Sequence, residues 1–123
     1  MIPVSGVSAK KLPAAFFTTE SGTEPVREWL LAMPREDRKK IGENIKAIEF
    51  GWPIGMPVCR PLGKGLYEVR TNLKDVTARI LFVIEGGKMV MLHGFIKKSQ
   101  ATPSADFDLA RARLQALRRS WRQ

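Results

Sequence analysis

The sequence predicts an α+β domain in which helices pack on a mostly antiparallel sheet. Three observations predict it. Apolar residues recur at steps of three and four across residues 21–51 and again across 102–121. Between them, residues 65–96 hold three runs with strand character, separated by short turn-rich joints. The 123 residues contain no repeat or low-complexity segment and are enough for one hydrophobic core. We therefore expect a flexible tail over residues 1–11 and a single domain over 12–123.

Each element has a local reason. Residues 12–19 carry Leu12, Phe16 and Phe17 in a run too short for a helix and suited to a strand. Ser21 followed by Glu24 has the spacing of a capping box, and Val26, Trp29, Leu30 and Met33 then mark an amphipathic helix. Pro34 ends it and stands in the first turn of a second helix, where Glu36 and Asp37 suit the positive end of the helix dipole. Ile41, Ile45 and Ile48 form its apolar stripe and Gly51 stops it, so the two read as a helical hairpin. Residues 51–61, with two Gly and three Pro, read as an irregular connection. Strands are expected over 65–71, 76–84 and 88–96, as a three-stranded meander. Thr102 and Pro103 open a last helix, with Asp106 and Asp108 in its first turn. Phe107, Ala110, Leu114, Leu117 and Trp121 give it one sharp apolar edge, opposite a face rich in arginine.

Composition narrows the function. The 44% apolar and 27% charged fractions are those of a folded protein, and no stretch has the length of uncharged apolar sequence that a membrane helix requires. The first residues lack the pattern of a secretory signal, and Cys59, the single cysteine, can form no internal disulfide; the expected compartment is the cytoplasm. The net charge of +9 favours a polyanionic partner. Its distribution is uneven. Residues 1–59 hold eight Lys/Arg and seven Asp/Glu, whereas residues 60–123 hold thirteen and five, so the basic surface belongs to the second half. A basic surface that merely solubilises, or that docks an acidic protein, remains an alternative.

The common catalytic patterns are missing. One histidine and one cysteine make no metal site of the usual kind, and there is no Walker loop, dinucleotide fingerprint or nucleophile elbow, so neither metal nor cofactor is expected. Gly63, Lys64 and Gly65 read as a turn. What remains is a set of cations on the meander. Strand alternation puts Leu66, Glu68 and Arg70 on one face and Tyr67 and Val69 on the other. Arg79 opens the next apolar run, and Lys97 and Lys98 close the last. Such ends can meet in one concavity, or can be ordinary solvated strand ends. His93 titrates near neutrality when unperturbed, but its place in a central strand favours a structural or supporting role. Trp29, Trp52 and Trp121 read as core or interface residues.

The run Leu66-Tyr67-Glu68-Val69-Arg70, the run Arg79-Ile80-Leu81-Phe82, and His93-Gly94-Phe95-Ile96-Lys97-Lys98 with Ser99-Gln100-Ala101-Thr102-Pro103 after it resemble the phage-derived branch of the RelE/ParE toxin superfamily, close to HigB. With the hairpin and terminal helix, the resemblance covers about residues 12–119. It implies a RelE-like fold and the toxin of a type II toxin-antitoxin system, a metal-independent endoribonuclease that cuts message on the ribosome and so inhibits translation. It further implies a cognate antitoxin, expected to be a helix-turn-helix DNA-binding protein, and assembly as a homodimer or a toxin-antitoxin heterotetramer. Carried over by position, Arg70, Arg79 and Lys98 are expected catalytic residues, with Lys97 beside Lys98 as a fourth; Lys64, Glu68, Lys74 and His93 are the expected RNA-binding residues, and Glu68 is also a rival to the lysines as the base. Two departures stand out: Glu68 occupies a position where relatives have lysine, and Ser104 and Phe107 lie where RelE has a base-stacking tyrosine. A gyrase inhibitor of the ParE kind and a non-catalytic RNA- or protein-binding module are the competing readings.

Overall fold

A computed structural model describes residues 9–97 and 103–121, with the Trp121 side chain left aside; residues 1–8 of the expected tail, Lys98 and Thr102 lie outside the described residues. In chain order the elements are β1 (Ala14–Phe16), α1 (Pro25–Leu31), α2 (Arg35–Gly51), β2 (Cys59–Gly63), β3 (Leu66–Asn72), β4 (Thr77–Glu85), β5 (Lys88–Lys97) and α3 (Ser104–Trp121). The strands form one sheet in the order β1-β5-β4-β3-β2, antiparallel except where β1 runs parallel to β5. The α+β architecture with its helical hairpin and terminal helix is therefore as the sequence predicts. Among the described residues, no helix is long and apolar enough to cross a membrane.

The sheet has a core on each face. Beneath the hairpin lie Val26, Ile41, Ile45, Ile48, Val69, Ile80, Phe82, Met89 and Met91. There Tyr67 stacks on Phe82 at 5.4 Å and meets the edge of Trp52 at 5.2 Å, so the chain's one tyrosine belongs to the core. Beneath α3 lie Leu66, Leu81, Val83, Val90, Leu92, Phe95, Ala110 and Leu114. Buried Glu49 ties in the first strand: its carboxylate accepts the Ala14 N–H at 2.7 Å and pairs with Lys10 at 3.1 Å.

Three local readings change. The helix expected to start at a Ser21 cap starts at Pro25, because Thr19, Ser21 and Thr23 spend their hydroxyls on one another in a turn and proline favours the first helical position. Pro34 is the N-cap of α2 rather than a residue of its first turn. The segment read as irregular ends in a strand, β2. Its Pro61 is tolerated because β2 is an edge strand, whose outer side needs no N–H donor.

Candidate functional site

The site forms on the α3 face of the sheet, beyond the part that α3 covers with apolar contacts. Register places Arg60 beside Glu68, Glu68 beside Leu81 and Leu81 beside His93. In the next row Arg70 stands beside Arg79 and Arg79 beside Phe95; in the row after, Thr77 stands beside Lys97. Directly paired residues share a face. Arg60, Glu68, Arg70, Arg79, His93 and Lys97 therefore all project to the same side.

A bulge makes this possible. Phe82 pairs with Met91, but the adjacent Leu81 pairs with His93, so Leu92 is an extra residue in β5. One inserted residue shifts the alternation by one. Before the bulge Val90 and Leu92 face α3; after it His93, Phe95 and Lys97 do. Gly94 turns the other way, toward Trp29, where a Cβ would lie only 2.5 Å from the indole.

At the centre of the site three arginines surround one carboxylate. Arg60 Nη2 lies 3.2 Å from Glu68 Oε1, Arg70 Nε 3.8 Å from the same oxygen, and Arg79 Nη1 3.5 Å from Oε2. Glu68 and Arg79 have no exposed side-chain surface, Arg70 is 15% exposed and Arg60 33% exposed. Three guanidinium groups against one carboxylate leave a net charge of +2. Burial pushes the Arg79 pKa down, Glu68 opposes that shift, and Arg70 and Arg60 add to it. Beneath the cluster, burial and the nearby Glu68 carboxylate push the Cys59 thiol up to about 11.

The second group of polar side chains joins β5 to α3. His93 Nε2 lies 2.6 Å from Asp106 Oδ1, and Arg113 donates to the Leu92 carbonyl at 2.8 Å with the same nitrogen 3.5 Å from His93 Nδ1. The ring is thereby held with Nε2 against the Asp106 carboxylate and Nδ1 toward the Arg113 guanidinium. The ring also stacks on Phe95 at 5.5 Å. Both imidazole nitrogens thus meet residues of α3, and the histidine fastens the helix across the end of the cluster.

Of the residues expected from sequence, Arg70, Arg79 and Glu68 come together in direct contact. Glu68 lies beneath the arginines, without surface of its own. Lys97 is half-buried on the same face, diagonal to Arg79, a relation that separates backbones by about 7–8 Å. Lys74 is exposed in the β3–β4 turn, at the same end of the sheet. Lys64 is exposed in the β2–β3 turn at the other end, about 20 Å from Arg70 at the rise of an extended strand. Lys98 lies outside the described residues. Arg60 was not expected, because its strand was hidden among prolines; the alternation of buried Cys59 with Arg60 was the available signal. In the sequence Asp106 reads only as an acid at a helix start and Arg113 as part of a face rich in arginine. Phe107 packs against the core under α3.

The chain matches the family described as phage-derived protein Gp49-like (DUF891) over residues 28–115. That range contains residues 28–31 of α1, all of α2, the four-stranded antiparallel part of the sheet and most of α3. The protein belongs to this phage-derived Gp49-like family. The family is one of RelE-like, toxin-like proteins, associated with the toxins of toxin-antitoxin systems. No match to a curated protein was found.

Proposed function

We propose that this Gp49-like protein is the toxin of a type II toxin-antitoxin system of the HigB kind, and that it inhibits translation as a metal-independent endoribonuclease acting on message held by the ribosome. The observation that carries the reading is the cluster of Arg60, Arg70 and Arg79 around Glu68, in a half of the chain with thirteen basic and five acidic residues. Cleavage without a metal needs a base for the ribose 2′-hydroxyl, cations for the charge on the phosphorane, and an acid for the departing 5′-oxygen. Arg60 and Arg70, the two with exposed surface, receive the scissile phosphate through paired N–H donors.

Arg79 acts from behind them. With Glu68 it sets the orientation of the exposed arginines and adds positive potential without touching solvent. Arginine stays protonated and cannot be the base. A neutral lysine can serve, and Lys97 or Lys98 is assigned that role. Glu68 is assigned the organising role rather than the basic one, since its oxygens are enclosed by the arginines. A cognate antitoxin of the helix-turn-helix class, covering the basic face, completes the proposal, with the cytoplasm as the compartment.

The complete burial of Arg79 favours a second reading, in which the cluster binds RNA and cuts nothing. Induced expression followed by mapping of RNA ends separates the two. The nuclease reading expects new ends inside translated codons, reduced at least tenfold in a folded Arg70→Ala variant. Intact messages together with salt-dependent RNA binding overturn it in favour of the binding module. Intact messages with blocked supercoiling indicate a gyrase inhibitor.

A further inference from the structure

Next to the arginine cluster, at the edge of the sheet, lies a notch of about 300 Å³. It exists because β2 accompanies β3 only part of the way. Cys59 pairs with Val69, Val58 accepts the Arg70 N–H at 2.8 Å, and beyond that point no strand among the described residues borders this edge of β3. Helix α2 closes the other side. Its Asn44 donates to the Arg70 carbonyl at 3.1 Å and to Thr71 Oγ1 at 3.0 Å, which fixes the distance between helix and strand.

The lining has a definite chemistry. Pro57 and Val58 supply an apolar wall. One turn apart on α2, Lys40 and Glu43 present an ammonium and a carboxylate on one side of the opening. A volume near 300 Å³ is at the small end for organic-ligand sites, so the notch suits one flat heterocycle rather than a length of chain. Arg70 links the two places: the residue lines the notch, and its Nε lies 3.8 Å from Glu68 in the cluster.

We infer that the notch reads the nucleobase next to the cut, and that Glu43 and Lys40 set the base preference. The inference rests on the nuclease reading, since a phosphate held at Arg70 is what brings the neighbouring base to the notch. A single-stranded base offers its Watson–Crick edge to side chains. Guanine fits best: its adjacent N1–H and N2–H donors face the Glu43 carboxylate, and O6 accepts from Lys40. Uracil fits less well than guanine, because its single N3–H gives the carboxylate one donor instead of two. Such readout by a charged pair discriminates by about tenfold or more.

The test is mapping of RNA ends on ribosomes programmed with messages that vary each base flanking the cut, using the full chain, Glu43→Ala and Lys40→Ala, each checked for a cooperative melt. The expected result is a guanine-over-uracil excess at one flanking position, reduced about tenfold in Glu43→Ala and reduced in Lys40→Ala. Arg70→Ala lowers cutting at all sites alike. Cutting by the unaltered protein without flanking preference, or an unchanged preference in both folded variants, overturns the notch and leaves the nuclease reading in place. A folded Glu43→Ala that cuts nothing also overturns it, because Glu43 then belongs to the chemistry. If the unaltered protein cuts nothing, the nuclease reading fails and the notch inference falls with it.

Discussion

Glu68→Gln keeps the shape of the side chain and removes the carboxylate that Arg60, Arg70 and Arg79 share. The three contacts do not contribute equally. Arg60 is one-third exposed, so water and salt screen its pairing, and its loss costs at most about 1 kcal/mol. Arg79 and Glu68 are both fully buried, and removing one member of such a pair leaves an uncompensated charge at a cost of about 3–5 kcal/mol. For a chain of this length each kcal/mol corresponds to roughly 4 °C in Tm, so the variant should melt about 12–20 °C lower. Glu85→Gln is the control. It breaks the more exposed pair with Arg118, 2.8 Å long, and should lower Tm by less than about 4 °C. Thermal unfolding followed by circular dichroism at low salt reads both. A Glu68→Gln melt no lower than that of Glu85→Gln would refute the claim that Glu68 holds the cluster together.

Two further outcomes are expected. Gly94→Ala puts a methyl group 2.5 Å from the rigid Trp29 indole, an overpacking that costs about 1–3 kcal/mol and should appear as a lower denaturant midpoint; an unchanged midpoint would mean that α1 does not press on β5. Cys59, buried and with its pKa raised to about 11, should resist alkylation in the folded protein at pH 8 and react once denatured. The sign of the accompanying pH effect follows: between the ordinary value of 9.0 and about 11 the unfolded chain loses the thiol proton while the folded chain keeps it, so this group makes stability fall as pH rises through that window. Prompt alkylation of the native protein would contradict the placement.

The elements that were legible in the sequence are those whose periodicity comes from burial on one face. Ile41, Ile45 and Ile48 are buried as their spacing requires, and the separation of Tyr67 and Val69 from Leu66, Glu68 and Arg70 follows strand alternation directly. Two features escaped because local chemistry masks them. Pro57 and Pro61 make β2 look like a loop, although an edge strand tolerates proline on its open side, and Arg60 was lost with it. The extra residue at Leu92 leaves no mark in composition, yet it decides that His93 and Lys97 rather than Gly94 and Ile96 share a face with Arg79. Glu68 was legible as a residue near the cations. Its burial beneath them depends on three strands meeting and could not be read from any one of them.

The proposed activity is cleavage of RNA by attack of the ribose 2′-hydroxyl on a phosphate held by the arginine cluster. The decisive comparison uses purified ribosomes programmed with two messages, one all-ribose and one with a single 2′-deoxy nucleotide on the 5′ side of the mapped cut. Cutting of the first is expected, with a 5′-hydroxyl on the downstream fragment, and no cutting of the second at that position. Equal cutting of both messages would contradict it.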